Sequence, residues 1–175
     1  EHKTGTDRIY EVFQKINSTD IDLVMNLQGD EPLINIDDIR NLNKKMIECS
    51  SKLGTLASKI LNKALLENPN VVKVLTKKNL NQTNFPEALN FMRNITEEKE
   101  NIYHHLGVYS YNKDTLEKFV SLNQSTSEIK NKLEQLRALD NNIKINVAFA
   151  NFYPIGVDTE EDLEAVKKIM ENKSQ

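Results

Sequence analysis

Apolar positions along this chain recur with two alternating periods. Residues 6–17 place Ile9, Val12, Phe13 and Ile16 on one face of a predicted helix. Leu23-Val24-Met25-Asn26-Leu27 reads as a buried strand that stops at the polar turn Gln28-Gly29-Asp30-Glu31-Pro32. A helix over about 36–49 carries Ile36, Ile39, Leu42 and Met46 on its face, and residues 54–60 alternate like a strand. Asn68-Pro69-Asn70 is a turn, and Val71 to Leu75 is a β-branched strand. Residues 76–87 are polar and read as a loop, Ala88 to Met92 as a short strand, and Ile102 to Tyr111 as a longer aromatic strand. Asp114 is positioned to cap a helix over 115–122, a Ser-rich stretch leads to a helix at about 128–139, and Ile143 to Phe149 is another strand. Thr159-Glu160-Glu161-Asp162 resembles a capping box opening a last helix to about residue 172. Strand–helix alternation predicts one domain over 1–175, a three-layer α/β/α sandwich around a mostly parallel central sheet. Ligands of such folds bind beyond the carboxyl ends of the strands, so polar residues just after strands carry the most information.

Composition narrows the function classes. The 175 residues are 38% hydrophobic and 28% charged, enough for one core under a polar surface. No apolar run approaches the ~18 residues a membrane span needs. Lys and Arg total 23 against 26 Asp and Glu, and no segment is strongly basic, which argues against a bulk electrostatic grip on nucleic acid. The single cysteine, Cys49, cannot form an intrachain disulfide and reads as a plain helix residue; with no visible signal peptide, a reducing cytoplasm is expected. The chain opens Glu1-His2-Lys3 without an initiator Met, so residues are expected to precede it. No P-loop, dinucleotide fingerprint, zinc-protease or serine-hydrolase motif is present.

Two carboxylates stand out because each follows a predicted strand. Asp30, after Gly29, is suited to Mg²⁺, which prefers oxygen ligands, and equally to capping the next helix. Asp158, in Gly156-Val157-Asp158-Thr159, suits a second metal ligand or an anion favoured by the last helix's N-terminus. Two carboxylates on one rim strengthen the metal reading. His104 and His105 point to opposite faces of their strand, and the missing Cys/His partners argue against zinc. Tyr103, Tyr109 and Tyr111 share the face of His105, as core packing or a sugar-binding surface. Glu134-Gln135-Leu136-Arg137 falls within a helix by pattern, where a solvated charged face is the plain alternative. Arg93, just past a short strand, suits a phosphate or carboxylate.

Together these motifs resemble the 3-deoxy-manno-octulosonate cytidylyltransferases, the CMP-Kdo synthetases. The resemblance runs through Thr4-Gly5-Thr6-Asp7-Arg8, Gln28-Gly29-Asp30-Glu31-Pro32, Asn68-Pro69-Asn70-Val71-Val72-Lys73-Val74, His105-Leu106-Gly107-Val108-Tyr109-Ser110-Tyr111, Leu133-Glu134-Gln135-Leu136-Arg137 and Gly156-Val157-Asp158-Thr159, in family order. It implies the nucleotide-diphospho-sugar transferase (Rossmann-like) version of the sandwich. It further implies attack of the anomeric 2-hydroxyl of Kdo on the α-phosphate of CTP, giving CMP-Kdo and pyrophosphate for lipopolysaccharide synthesis, with Mg²⁺ as cofactor and a homodimer in the cytoplasm. By the same resemblance, Asp30 and Asp158 are the catalytic metal ligands. Gln28, Arg93, His105, Tyr109, Glu134 and Gln135 bind Kdo, and Thr4, Gly5, Thr6 and Arg8 contact CTP. The family's P-A-R-x-x-S-x-R-[LF]-P-G-K phosphate-binding segment is expected to lie before Glu1, with the first strands of the sheet. The stretch 125–132 departs from the family's S-P-L-E-x-x-E-x, keeping Ser125 and Glu128. A cytidylyltransferase for a related sugar acid or amino sugar, or a non-catalytic sugar-binding remnant, are the alternatives at this stage.

Overall fold

A computed structural model of the chain describes residues 2, 4–16, 20–29, 31–95, 100–151, 156–157 and 159–173. Seven helices and six strands follow in the order α1 (Gly5–Ile16), β1 (Leu23–Asn26), α2 (Ile36–Glu48), β2 (Leu53–Ser58), α3 (Lys63–Glu67), β3 (Lys73–Thr76), β4 (Ala88–Met92), β5 (Ile102–Asn112), α4 (Lys113–Ser121), α5 (Thr126–Asn131), α6 (Leu136–Asp140), β6 (Asn146–Phe149) and α7 (Glu160–Lys173), among the described residues.

The sheet is organised around β5. Its order is β4-β3-β5-β2-β6, with β1 also paired to β5. β2 runs along one edge of β5, while β1 pairs with Tyr109 to Asn112 and β3 with Ile102 to His104, so those two follow one another along the other edge. β1, β2, β3 and β6 all point one way, and β4 and β5 oppose them. This corrects the expectation of mostly parallel pairing: the α/β sandwich and the common direction of four strands hold, yet only β2–β6 pairs in parallel among the described strands. The reason is local. Among the described residues no helix separates β3, β4 and β5, and strands joined without a crossover pair antiparallel.

Helices cover both faces. The larger core gathers Phe13 of α1, Leu116 and Phe119 of α4, and Leu136 and Ala138 of α6 against Val74, Phe91, Tyr103, Tyr109 and Tyr111. The smaller core packs Leu42 and Met46 of α2 on Leu56, Leu106, Val108 and Ala148. Gly54 makes that approach possible: a Cβ there would lie 2.6 Å from Met46 Sδ and 3.0 Å from both Leu42 Cδ1 and Phe85 Cζ.

Element ends follow cap chemistry. Asn112, and not the expected Asp114, caps α4 by accepting from the Thr115 N–H at 2.9 Å; Asp114 lies in the first turn. The helix expected at 128–139 is two short helices. Ser125 and Glu128 form a capping box on α5, and Lys132 ends it in the left-handed region at φ 54°. Thr159 and Asp162 cap α7 reciprocally, as the capping-box pattern predicts. Cys49 is the exposed C-cap of α2.

Candidate functional site

The site forms where the β5 edge is left open between β1 and β3. β1 ends opposite Tyr109 and β3 begins opposite His104, with the His105 N–H still held by the Val72 carbonyl, leaving 106–108 beside the turn that leaves β1. The pairing of β2 with β5 also shifts here, from Thr55↔Tyr109 to Leu56↔Leu106, so Gly107 and Val108 bulge from the ladder. The Gly107 N–H donates to Glu31 Oε1 at 2.9 Å. A Cβ on Gly107 would sit 3.3 Å from that oxygen and 3.4 Å from Gln28 Nε2, so glycine lets the turn lie against the strand.

Along the same face of β5, His105, Tyr109 and Tyr111 form a ladder of rings, with centroids 5.4 Å and then 6.1 Å apart. Phe91 meets His105 edge-on at 5.0 Å. Burial, and then the neighbouring His104, pulls the His105 imidazole down to about 3, so the ring is neutral. Burial pushes both phenols upward, reinforced at Tyr109 by Tyr111, Glu134 and Glu31 and opposed at Tyr111 by the Thr6 hydroxyl. Both therefore remain O–H donors.

Glu134 closes the other side. It lies in the turn between α5 and α6, not inside a helix as its pattern predicts. Burial raises its carboxyl, against the opposing hydrogen bonds of the Thr6 and Thr4 hydroxyls and the charge of Arg137. Thr6 reaches the Tyr111 hydroxyl at 3.5 Å, which joins the start of α1 to the ring ladder. Thr4 also begins α1, exchanging hydrogen bonds with Asp7. Behind Glu134, Arg137 holds Glu128 at 2.8 and 2.5 Å in a buried pair and lies 4.6 Å above the Phe119 ring centroid.

The result is a polar strip carrying carboxylates, a neutral imidazole, phenols, hydroxyls and an amide. Such a set offers both donors and acceptors, the mix a polyhydroxylated ligand needs. Among the described residues no group of three or more His, Cys, Asp and Glu is arranged to hold a metal ion, and Asp30 and Asp158 lie outside the described residues.

The cytidylyltransferase family profile matches residues 1–145. The chain is 40% identical to the 3-deoxy-manno-octulosonate cytidylyltransferase of Bartonella tribocorum over 97% of its own length and 70% of that protein. It is 41% identical to the namesake of Afipia carboxidovorans, over 97% and 69%. The chain belongs to the 3-deoxy-manno-octulosonate cytidylyltransferase family. Its fold superimposes on CMP:2-keto-3-deoxy-manno-octonic acid synthetase complexed with CTP with a TM-score of 0.84 and 32% identity, covering 99% of this chain and 70% of that one. The apo UDP-glucose pyrophosphorylase fold is similar at a TM-score of 0.70 and 11% identity, covering 100% of this chain and 62% of that one.

Within this cytidylyltransferase, Gln28, His105, Tyr109 and Glu134 share the strip with Thr4, Gly5 and Thr6 at the start of α1. Gln135 is buried beside Glu134 as the residue opening α6, and Arg8 is exposed on α1. Arg93 stands apart. Its guanidinium faces the main-chain carbonyls of Pro69 at 3.2 Å, Asn131 at 3.3 Å and Lys132 at 3.4 Å, bracing the turn that presents Glu134. Buried Lys73 braces the same region through the carbonyls of Asn68 and Arg93. Sequence reasoning missed Glu31, Thr55 and Asp38. Asp38 accepts from the Asn151 backbone N–H at 3.1 Å and so ties α2 to the exit of β6. A carboxylate among apolar helix positions was the only signal for it, and Glu31 was visible only as a turn residue.

Proposed function

We propose that this chain transfers the cytidylyl group of CTP to the anomeric 2-hydroxyl of Kdo, forming CMP-Kdo and releasing pyrophosphate. The observation that carries this reading is the convergence of Gln28, His105, Tyr109 and Glu134 on one strip beside the β1 exit turn, in a member of the cytidylyltransferase family. The residues divide the work by chemistry. The phenol of Tyr109 donates, Glu134 accepts, and the Gln28 amide does both, which orients a sugar acid rich in hydroxyls. Thr4 and Thr6 hold the Glu134 side at the start of α1, where the nucleotide approaches in this reading.

Asp30 and Asp158 would hold Mg²⁺. β1 and β6 run in one direction, so the strand ends that precede these two residues in the sequence lie on one rim of the sheet, and a carboxylate pair is an oxygen donor set suited to this cation. When bound, the ion neutralises phosphate charge and acidifies the attacking hydroxyl. A homodimer working in the cytoplasm for lipopolysaccharide synthesis completes the proposal; sedimentation of the purified protein tests the dimer.

Pyrophosphate release tests the reaction, using the full gene product carrying this sequence with CTP, Kdo and Mg²⁺. Turnover is expected, and Asp30→Asn should lower it at least about a hundredfold with an unchanged circular-dichroism spectrum. Absence of release from the folded protein overturns the substrate reading, and near-normal turnover in Asp30→Asn overturns the metal role.

A further inference from the structure

We infer that Thr55 is a positioning residue that locks His105 in one tautomer, with the proton on Nε2 and Nδ1 offered to the sugar as an acceptor. Thr55 lies in β2, fully buried, directly under the bulge in β5. Its hydroxyl oxygen has three neighbours: the Val108 carbonyl at 2.7 Å, the Leu106 carbonyl at 3.3 Å and His105 Nε2 at 2.9 Å. A hydroxyl has one hydrogen to donate, and a carbonyl can only accept. Thr55 therefore donates to the bulge carbonyls. If it turned its hydrogen to the imidazole instead, its lone pairs would face two carbonyl oxygens in a dry interior. What remains for Nε2 is to donate to Thr55, which leaves Nδ1 unprotonated.

The surroundings hold the ring in this state. Phe91 meets the ring in a T-shaped contact and Tyr109 lies tilted against it, while the His105 backbone N–H donates to the Val72 carbonyl at 2.9 Å and fixes the strand. No described residue hydrogen-bonds Nδ1. Burial keeps the imidazole uncharged over the physiological range, so the tautomer and not the charge decides what the ring presents. Thr55 thus performs two tasks with one hydroxyl: it caps the bulge that brings Gly107 to Glu31, and it sets the polarity of His105. That Nδ1 serves Kdo rests on the functional reading above; the tautomer itself does not.

Long-range ¹H–¹⁵N correlation spectra of the imidazoles in the wild-type protein decide the lock directly. His105 is expected as the Nε2–H tautomer, unchanged from pH 6 to 8. An Nδ1–H ring, or a mixture, overturns the inference. Kinetics then test its use. Thr55→Val should raise the KM for Kdo about five- to tenfold, the loss of one well-placed hydrogen bond, while the KM for CTP stays level, and Thr55→Ser should restore it. An unchanged KM for Kdo, or an equal rise for both substrates in a folded variant, overturns the role in sugar binding. Should the wild type show no turnover with Kdo, the functional reading fails, and the spectra still judge the lock.

Discussion

Gly107 and Glu31 show how much of the site one contact governs. The Gly107 N–H has no strand partner on the open edge, and a carboxylate 76 positions away supplies it. Gly107→Ala places a methyl group 3.3 Å from Glu31 Oε1 and 3.4 Å from Gln28 Nε2, so the turn must yield by a few tenths of an ångström. Because Gly107 does not have positive φ, alanine is tolerated by the backbone itself. The expected outcome is a stability loss of at most about 1 kcal/mol, together with a roughly three- to tenfold higher KM for Kdo. Urea titration and steady-state kinetics check this; a large stability loss with unchanged KM would contradict it. At this scale the sequence was most readable, since Gln28, His105, Tyr109 and Glu134 belong to contiguous motifs. The partner of Gly107 was not readable, because nothing in local pattern links positions so far apart.

Between α5 and α6, a lysine in the left-handed region does what a glycine commonly does. Leu133, Leu136 and Leu139 are spaced for a continuous helix, so the pattern gave no sign of the break. The break turns Glu134 toward the strip, and Arg93 braces the turn from outside through the Asn131 and Lys132 carbonyls. The buried Glu128–Arg137 pair locks it from inside. Burial works against the Glu128 carboxylate, yet Arg137, Gln124 and the Ser125 N–H together hold it below the ordinary range. Arg137→Met strands that carboxylate and should cost about 3–5 kcal/mol, whereas Glu128→Leu combined with Arg137→Met should recover most of the loss. Denaturant unfolding of the two variants tests this. Equal losses in both would show that packing over Phe119 dominates.

The whole molecule is a sheet hung on one strand. Its layers and the direction of most strands were legible from alternating periods. The antiparallel pairing was signalled as well, by the polar stretch 76–87 that offers no helical period between β3 and β4, but general alternation masked that signal. Two adjacent histidines on the central strand give the folded chain a pH signature. Burial, and then the charge of Lys73, pulls His104 down to about 4, while His105 lies at about 3. Below about pH 6.5 the unfolded chain binds protons that the folded one refuses, so stability falls by roughly 1.4 kcal/mol per pH unit for each ring. The loss runs from about pH 6.5 down toward the folded values. Lower in that window, depressed Glu128 adds to the loss, while Glu134, raised by burial, takes up its proton first in the folded state and offsets part of it. Urea midpoints measured from pH 8 to 4 should show this fall, and His104→Gln should halve its slope. A flat profile between pH 7 and 5 would refute the neutral, buried state of these rings.

The open stretch of the β5 edge also divides the amides of one strand into two clocks. Those facing β2 exchange with solvent only when the ladder itself comes apart. The amide of Gly107 is shielded by a side chain on a turn, so it exchanges whenever that turn lifts. A single proton at the centre of the sheet therefore reports the opening and closing of the site, independently of unfolding and without any added label.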